Sequence, residues 1–248
     1  MQMNHVVMAL RGLRLSGMAD ALEQQLAGPT WREASFEERI EHLIVEENQL
    51  RSHRKVDRIR KASKMRHDAP PEDFDFSPSR GLDKSVISSL LRCEWIRSGR
   101  TNLLITGLTG TGKTWMACTF GQAAARLELT VGYHRVGPLL EDLEMARHDG
   151  QRIKKLEHLR RLDLLILDDL GLETLTHNAL IDLLNVLEDR VNRKSTIVAA
   201  QMPISKWHEY LGGDATADAI MDRLIHSSER IELQGESLRA RKRGGPKA

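Results

Sequence analysis

"GLTGTGKT", residues 107–114, sets three glycines ahead of a lysine and a threonine, and the reading of this stretch decides the fold. Gly107, Gly112, Lys113 and Thr114 satisfy the spacing G-x-x-x-x-G-K-[ST], and Gly110 adds a further glycine between them. Glycines let successive backbone N–H groups turn inward around phosphate oxygens, and a helix that starts at the lysine aims its positive end at the same charge. Lys113 is expected to reach the β and γ phosphates of a nucleotide, and the Thr114 hydroxyl to sit on Mg²⁺. The nucleotide-binding stretch is read as Gly107, Leu108, Thr109, Gly110, Thr111, Gly112, Lys113, Thr114 and Trp115. The competing reading is a glycine turn that binds nothing. Context weighs against it, because "NLLIT" (102–106) reads as an apolar strand and "WMACTFGQAAARL" (115–127) as a helix.

Working outward, strands and helices continue to alternate. "TVGYHRV" (130–136) reads as a strand and "PLLEDLEMAR" (138–147) as a helix started by proline. "LLILDD" (164–169) is an apolar strand ending in two acids, and "ALIDLLNVLEDRV" (179–191) an amphipathic helix. "TIVAAQ" (196–201), "AIMDRLIH" (219–226) and "RIEL" (230–233) read as strand, helix and short strand. Continuously apolar strands alternating with helices predict an α/β fold, a parallel sheet covered by helices on both faces.

Asp168 ends a buried strand, where a carboxylate can hold Mg²⁺ through its water shell, and Asp169 is the candidate for polarising an attacking water. Elsewhere two acids at a strand end would be merely solvated; behind a phosphate loop they complete a site for ATP and Mg²⁺. Gln201 leaves an apolar strand, and it would lie beside the γ-phosphate if that strand ran between those of the loop and Asp168. Arg223 lies on the following helix, either in a surface ion pair with Asp222 or Asp218 or reaching a neighbouring subunit's γ-phosphate. Arg190 and Arg193 are lesser candidates for the same subunit interface.

The first third reads as helix. "LRGLRLSGMADALEQQLA" (10–27) stops at Gly28-Pro29. Ser35 and Glu38 then have the spacing of a capping box ahead of a helix from Phe36 to Arg66, with Ile40, Leu43 and Ile44 as its buried stripe. "HDAPPEDFDFSPSRG" (67–81) carries three prolines and is the expected boundary, giving a helical domain over 1–75 and an ATPase domain over 76–248.

Composition sets the limits. Lys plus Arg number 37 against 35 Asp plus Glu, so local segregation of charge matters more than the total. Two cysteines, Cys93 and Cys118, are too few for a disulfide framework or a zinc site and suit a reducing compartment. The N-terminus lacks the basic and apolar regions of a signal peptide, and no run approaches the roughly 18 apolar residues of a membrane span, so a cytoplasmic protein is expected.

Charge is segregated most clearly in "RSHRKVDRIRKASKMR" (51–66), with eight basic residues against Asp57. Arg51, Arg54, Lys55 and Arg58 share a helix face, and Lys61 follows one turn on. Basic residues late in a helix also complement its dipole, so a solvated face competes with a DNA-binding one. No aromatic falls in the run, which disfavours a stacking platform for single strands and favours duplex contacted through phosphates. The tail "RARKRGGPKA" (239–248) is also basic.

In order along the chain, the phosphate loop, "LLILDDLG", "STIVAAQMP", "DRLIHSSERIEL" and the ending "GESLR" resemble IstB-like ATPases, AAA+ proteins related to DnaC-type helicase loaders. "LRLSGMADALEQQ" and "FEERIEHLIVEE" are similar to that family's N-terminal domain, so the resemblance spans nearly the whole chain. It implies an insertion-sequence protein that binds duplex DNA with ATP as a homo-oligomer and assists a transposase. It also implies Lys113 and Thr114 at phosphate and metal, Asp168 on Mg²⁺, Asp169 in hydrolysis, Gln201 as first sensor and Arg223 as trans-acting finger. Two departures from broader AAA+ proteins stand out. Asp169 occupies a position usually held by glutamate, which predicts slow hydrolysis suited to a switch. Only 25 residues follow Arg223, too few for a helical lid. The rival readings are a helicase loader, which would grip a hexameric helicase and favour single-stranded DNA, and a metabolic kinase, which needs an acceptor pocket not evident here.

Overall fold

A computed structural model describes residues 2–76, 80–235 and 237. The whole of the basic tail (239–248) and the second and last two residues of "GESLR" lie outside the described residues. The chain divides into two compact units, residues 1–58 and 59–248. The division falls upstream of the proline-rich stretch because Ile59, Ala69 and Phe74 are buried in the core of the second unit.

In the first unit, α1 (Gln2–Gly12) and α2 (Ser16–Ala27) precede α3 (Phe36–Ser63), whose last five residues belong to the second unit. The sequence predicts one helix through 10–27; instead the chain breaks at 13–15, where Arg14 takes φ +63°. Val7, Ala19 and Leu22 form a small core with Leu10 and Leu43 against it. Gly17 permits the approach of α2 to α3, since a Cβ there would stand 2.6 Å from Glu47 Cα. Glu47, itself buried, accepts from the Gly17 and Met18 N–H groups at 2.8 and 3.3 Å and so satisfies the start of α2. The capping box forms as its spacing predicts: Ser35 N–H donates to Glu38, and Glu38 N–H to Ser35 Oγ. Of the expected stripe, Leu43 packs inward, while Ile40 and Ile44 remain exposed.

In the second unit, α4 (Lys84–Leu90) and α5 (Glu94–Ser98) lead into β1 (Asn102–Gly107) and α6 (Lys113–Arg126). Then follow β2 (Val131–Arg135), α7 (Val136–His148), α8 (Arg152–Arg161) and β3 (Leu164–Leu170). The last elements are α9 (His177–Glu188), β4 (Ser195–Ala200), α10 (Trp207–Tyr210), α11 (Ala215–Ile225) and β5 (Ser228–Leu233). All five strands are parallel, in the order β2-β3-β4-β1-β5.

Alternate strand residues feed two apolar layers, as a sheet covered on both sides requires. Leu103, Ile105, Leu164, Ile166, Ile197 and Ala199 meet α6 and residues 59–96. Leu104, Leu165, Leu167, Val198 and Ala200 meet α7, α9 and α11. Among the described residues no helix is long and apolar enough to cross a membrane.

Candidate nucleotide site

The order of strands puts β4 between β1 and β3, so the ends of the three strands converge on the loop after β1. Gly107, Gly110 and Gly112 take φ of +146°, +85° and +95°, a conformation that L side chains rarely adopt. Space is also closed to a side chain: a Cβ on Gly107 would lie 2.5 Å from the Leu233 carbonyl oxygen. Lys113 is nearly buried, and its Nζ donates to the carbonyls of Gly107 and Leu108, each at 2.8 Å. The ammonium is thus folded into the loop it would leave for a phosphate. Thr111 Oγ1 donates to the Leu108 carbonyl at 2.8 Å, and Thr109 Oγ1 to Gln201 Oε1 at 2.6 Å. Leu108 itself is exposed, and Trp115 lies half-buried with its ring 5.7 Å from that of His67.

Thr114 Oγ1 donates to Asp168 Oδ2 at 2.8 Å, and the same carboxylate oxygen accepts from the Tyr133 hydroxyl at 2.6 Å. One hydroxyl and one buried carboxylate fit Mg²⁺, which keeps most of its ligands as water and phosphate oxygen. Among the described residues there is no cluster of three or more His, Cys, Asp or Glu that could hold a metal by itself. When bound, Mg²⁺ would supply charge neutralisation at the phosphates.

Asp169 is partly exposed and stands at φ +62°. Burial, and then the charge of Asp168, push its carboxyl above the usual carboxylate range, against the pull of Arg66, Arg135 and Lys113. Arg66 Nη1 lies 3.7 Å from Asp169 Oδ2.

Arg223 is elsewhere. Its carbonyl accepts from Asn102 Nδ2 at 3.0 Å, at the start of β1, whereas the phosphate loop follows the end of β1. Its guanidinium is bonded to Glu188 and, at 2.9 Å, to the Ala219 carbonyl, with Asp222 at 3.9 Å. Arg190 does not lie on a surface for a neighbour to use. It is buried, donating to the Leu159, Leu162 and Ser195 carbonyls and to Thr196 Oγ1 at 2.5–3.1 Å, which fixes the start of β4 against the end of α8. Arg193 is exposed.

The residue types that sequence reading passed over come from a distance. Arg80 is buried and braces the loop by donating to the Thr111 carbonyl at 2.8 Å. Tyr133 and Arg66 reach the two acids from β2 and from the segment after α3. Of the basic residues of α3, Arg51, Arg54, Lys55, Arg58 and Lys61 are all exposed. Arg51 is also bonded to Glu47 at 2.6 Å.

Residues 8–245 match the family described as IstB-like ATP binding protein. The chain belongs to that family. It is 42% identical over 234 residues to an insertion sequence ATP-binding protein of Sinorhizobium fredii, y4pL, covering 94% of this chain and 95% of the relative. The IS1162 ATP-binding protein of Pseudomonas fluorescens is 43% identical over 206 residues, with 83% of this chain and 89% of the relative covered. Among solved structures, the DnaC helicase loader superposes with a TM-score of 0.56 at 16% identity, over 67% of this chain and 97% of its own. AMPPCP-bound DnaA from Aquifex aeolicus superposes with a TM-score of 0.58 at 19% identity, over 71% of this chain and 53% of its own. At such identities these two carry the fold alone. This IstB-like ATP binding protein therefore shares the fold of the DnaC and DnaA structures.

Proposed function

We propose that the protein is an ATP-dependent, DNA-binding helper of transposition. With ATP it assembles as a homo-oligomer on duplex DNA, with little sequence preference, remodels that DNA and recruits or stimulates a transposase; slow hydrolysis then takes the assembly apart. ATP with Mg²⁺ binds through Lys113, Thr114 and Asp168. Asp169 orients the attacking water, Gln201 senses the γ-phosphate beside Thr109, and Arg223 acts on the nucleotide of the next subunit. Arg51, Arg54, Lys55, Arg58 and Lys61 of α3 contact DNA phosphates, and Arg193 lies at the subunit interface.

The observation that carries this reading is the separation of Arg223 from its own phosphate loop. They sit at opposite ends of β1, whose six residues span about 17 Å at about 3.3 Å per residue. An arginine side chain does not bridge that length, so a role for Arg223 at a phosphate requires a second subunit. The family relationship supports the remainder, since the relatives are named as insertion sequence proteins.

Particle mass in solution tests it, with and without a duplex of several helical turns, in ATP and in ADP, for wild type and Arg223→Ala. Large particles with duplex and ATP, absent in ADP and lost in Arg223→Ala, are expected. Particles that stay small in every condition, or that form on single strands in preference to duplex, would sink the reading.

A further inference from the structure

Asp169 is engaged by a residue from outside the strands and the phosphate loop. Arg66 belongs to the segment that follows α3, and its guanidinium lies 3.7 Å from the carboxylate. The other charged groups around Asp169 are Asp168, Arg135 at the end of β2 and Lys113. At 3.7 Å the guanidinium acts by charge, drawing the carboxylate toward itself, and so competes with a water for the carboxylate's orientation.

The segment carrying Arg66 is seated firmly on the nucleotide-binding helix. Asp68 accepts from Arg60 at 2.7 Å and from Gln122 of α6 at 3.0 Å. Gly121 of α6 leaves room for Met65, whose sulfur would lie 2.6 Å from a Cβ at that position. His67 lies against Trp115, the residue after Thr114. The pair with Asp169 is loose by comparison, with Arg66 at 44% and Asp169 at 20% side-chain exposure, and a solvent-facing pair of this kind is readily exchanged. Lys64, at φ +53°, ends α3 and begins the segment. Ser63, the last residue of α3, is three residues from Arg66 along the chain.

We propose that Arg66 is a positioning residue for hydrolysis: residues 64–68 form a brake that holds Asp169 away from its water in the resting subunit. Duplex bound to the basic helix α3 releases the brake. The proposal rests on the assignment of Asp169 to the attacking water, and it deepens that assignment by naming how the rate is restrained.

The experiment measures hydrolysis by the full chain over a range of ATP up to saturation with Mg²⁺, with and without duplex, comparing wild type with Arg66→Ala, Arg66→Gln and Arg66→Lys. Amide exchange of residues 64–69 is followed in parallel, without nucleotide, with and without duplex. Removal of the guanidinium in Arg66→Ala and Arg66→Gln is expected to raise the kcat measured without duplex about threefold to fivefold, leave KM for ATP unchanged, and shrink stimulation by duplex by the same factor. Arg66→Lys keeps the charge and should restore the slow rate. Duplex should speed exchange of the segment in the wild type. A kcat in both neutral variants at or below wild type, a rise shared by Arg66→Lys, or exchange indifferent to duplex would each overturn the brake. Asp169→Asn separates the two levels. If it hydrolyses ATP like wild type, the assignment of Asp169 fails; if it is inactive while the Arg66 variants match wild type, only the brake fails.

Discussion

The backbone at Asp169 is left-handed, at φ +62°, a region where short polar side chains such as Asp and Asn are tolerated best. That gives a conformational reason for aspartate where glutamate is the commoner choice in related ATPases: the shorter acid suits the turn, and its carboxyl reaches less far toward a water. Asn fits the same backbone, so Asp169→Asn removes the charge without disturbing the fold. We expect it to bind nucleotide as wild type does, in a titration with a fluorescent analogue, while phosphate release falls by about 10²-fold or more. A rate within tenfold of wild type would place the water elsewhere. The residues of this site that sequence reading brought forward are those in contiguous runs, 107–114 and 168–169, where spacing itself encodes the geometry, together with Gln201 at the end of an apolar strand, which meets Thr109. Arg66, Arg80 and Tyr133 were not legible, because each arrives from a separate part of the chain. Nothing in the run 51–66 distinguishes Arg66, which faces Asp169, from Arg60, which pairs with Asp68. Arg190 shows the reverse case. Its position ahead of β4 suggested an interface, and only its bonds to three carbonyls reveal a residue of the interior.

Among the elements, β1, β3 and β4 were legible because continuous apolar runs of that length suit a sheet buried on both faces, and β2 and β5, which carry charged or polar residues, were legible from their place between helical stretches. Short helices without an apolar stripe were not. α8, "RIKKLEHLRR", turns Leu159 into the core and keeps Leu156 partly buried, while most of its remaining positions are charged. The break between α1 and α2 was hidden by leucines on both sides of Arg14 that continue the helical spacing. α3 is the element whose function is most open to measurement. Arg54, Lys55 and Arg58 are exposed along it, while Arg51 divides its charge with Glu47. If three of these side chains neutralise phosphates, the log–log dependence of duplex affinity on salt has a slope of about −2.7 per subunit. The double substitution Arg54→Ala and Arg58→Ala should make that slope less negative by about 1.8 per subunit and weaken unrelated duplex sequences alike. A slope that does not change, measured by anisotropy across a salt series, would move the DNA contacts off α3.

At the scale of the whole molecule, the nucleotide site and Arg223 lie at opposite ends of β1, and within the subunit Lys113 and Arg223 each have hydrogen-bond partners. Lys113 is folded onto the carbonyls of its own loop, and Arg223 is bonded to Glu188 at the end of α9. If Arg223 acts on the nucleotide of a neighbour, it must first exchange Glu188 for that phosphate. The exchange is feasible because Glu188 is 57% and Arg223 25% exposed at the side chain, and pairs so accessible to water are worth about 0–1 kcal/mol. Breaking the pair in advance should therefore favour assembly by up to about fivefold per interface. Glu188→Gln keeps a hydrogen-bond acceptor for the guanidinium and removes the charge. In sedimentation with ATP and duplex, its assembly midpoint should fall to a protein concentration about twofold to fivefold below that of wild type, while Arg223→Ala shifts it upward or abolishes assembly. A midpoint at or above wild type for Glu188→Gln would mean that Glu188 supports the interface rather than restraining it. Arg223 would then be placed by Glu188 for its neighbour, and the lone subunit would already be in its assembling form.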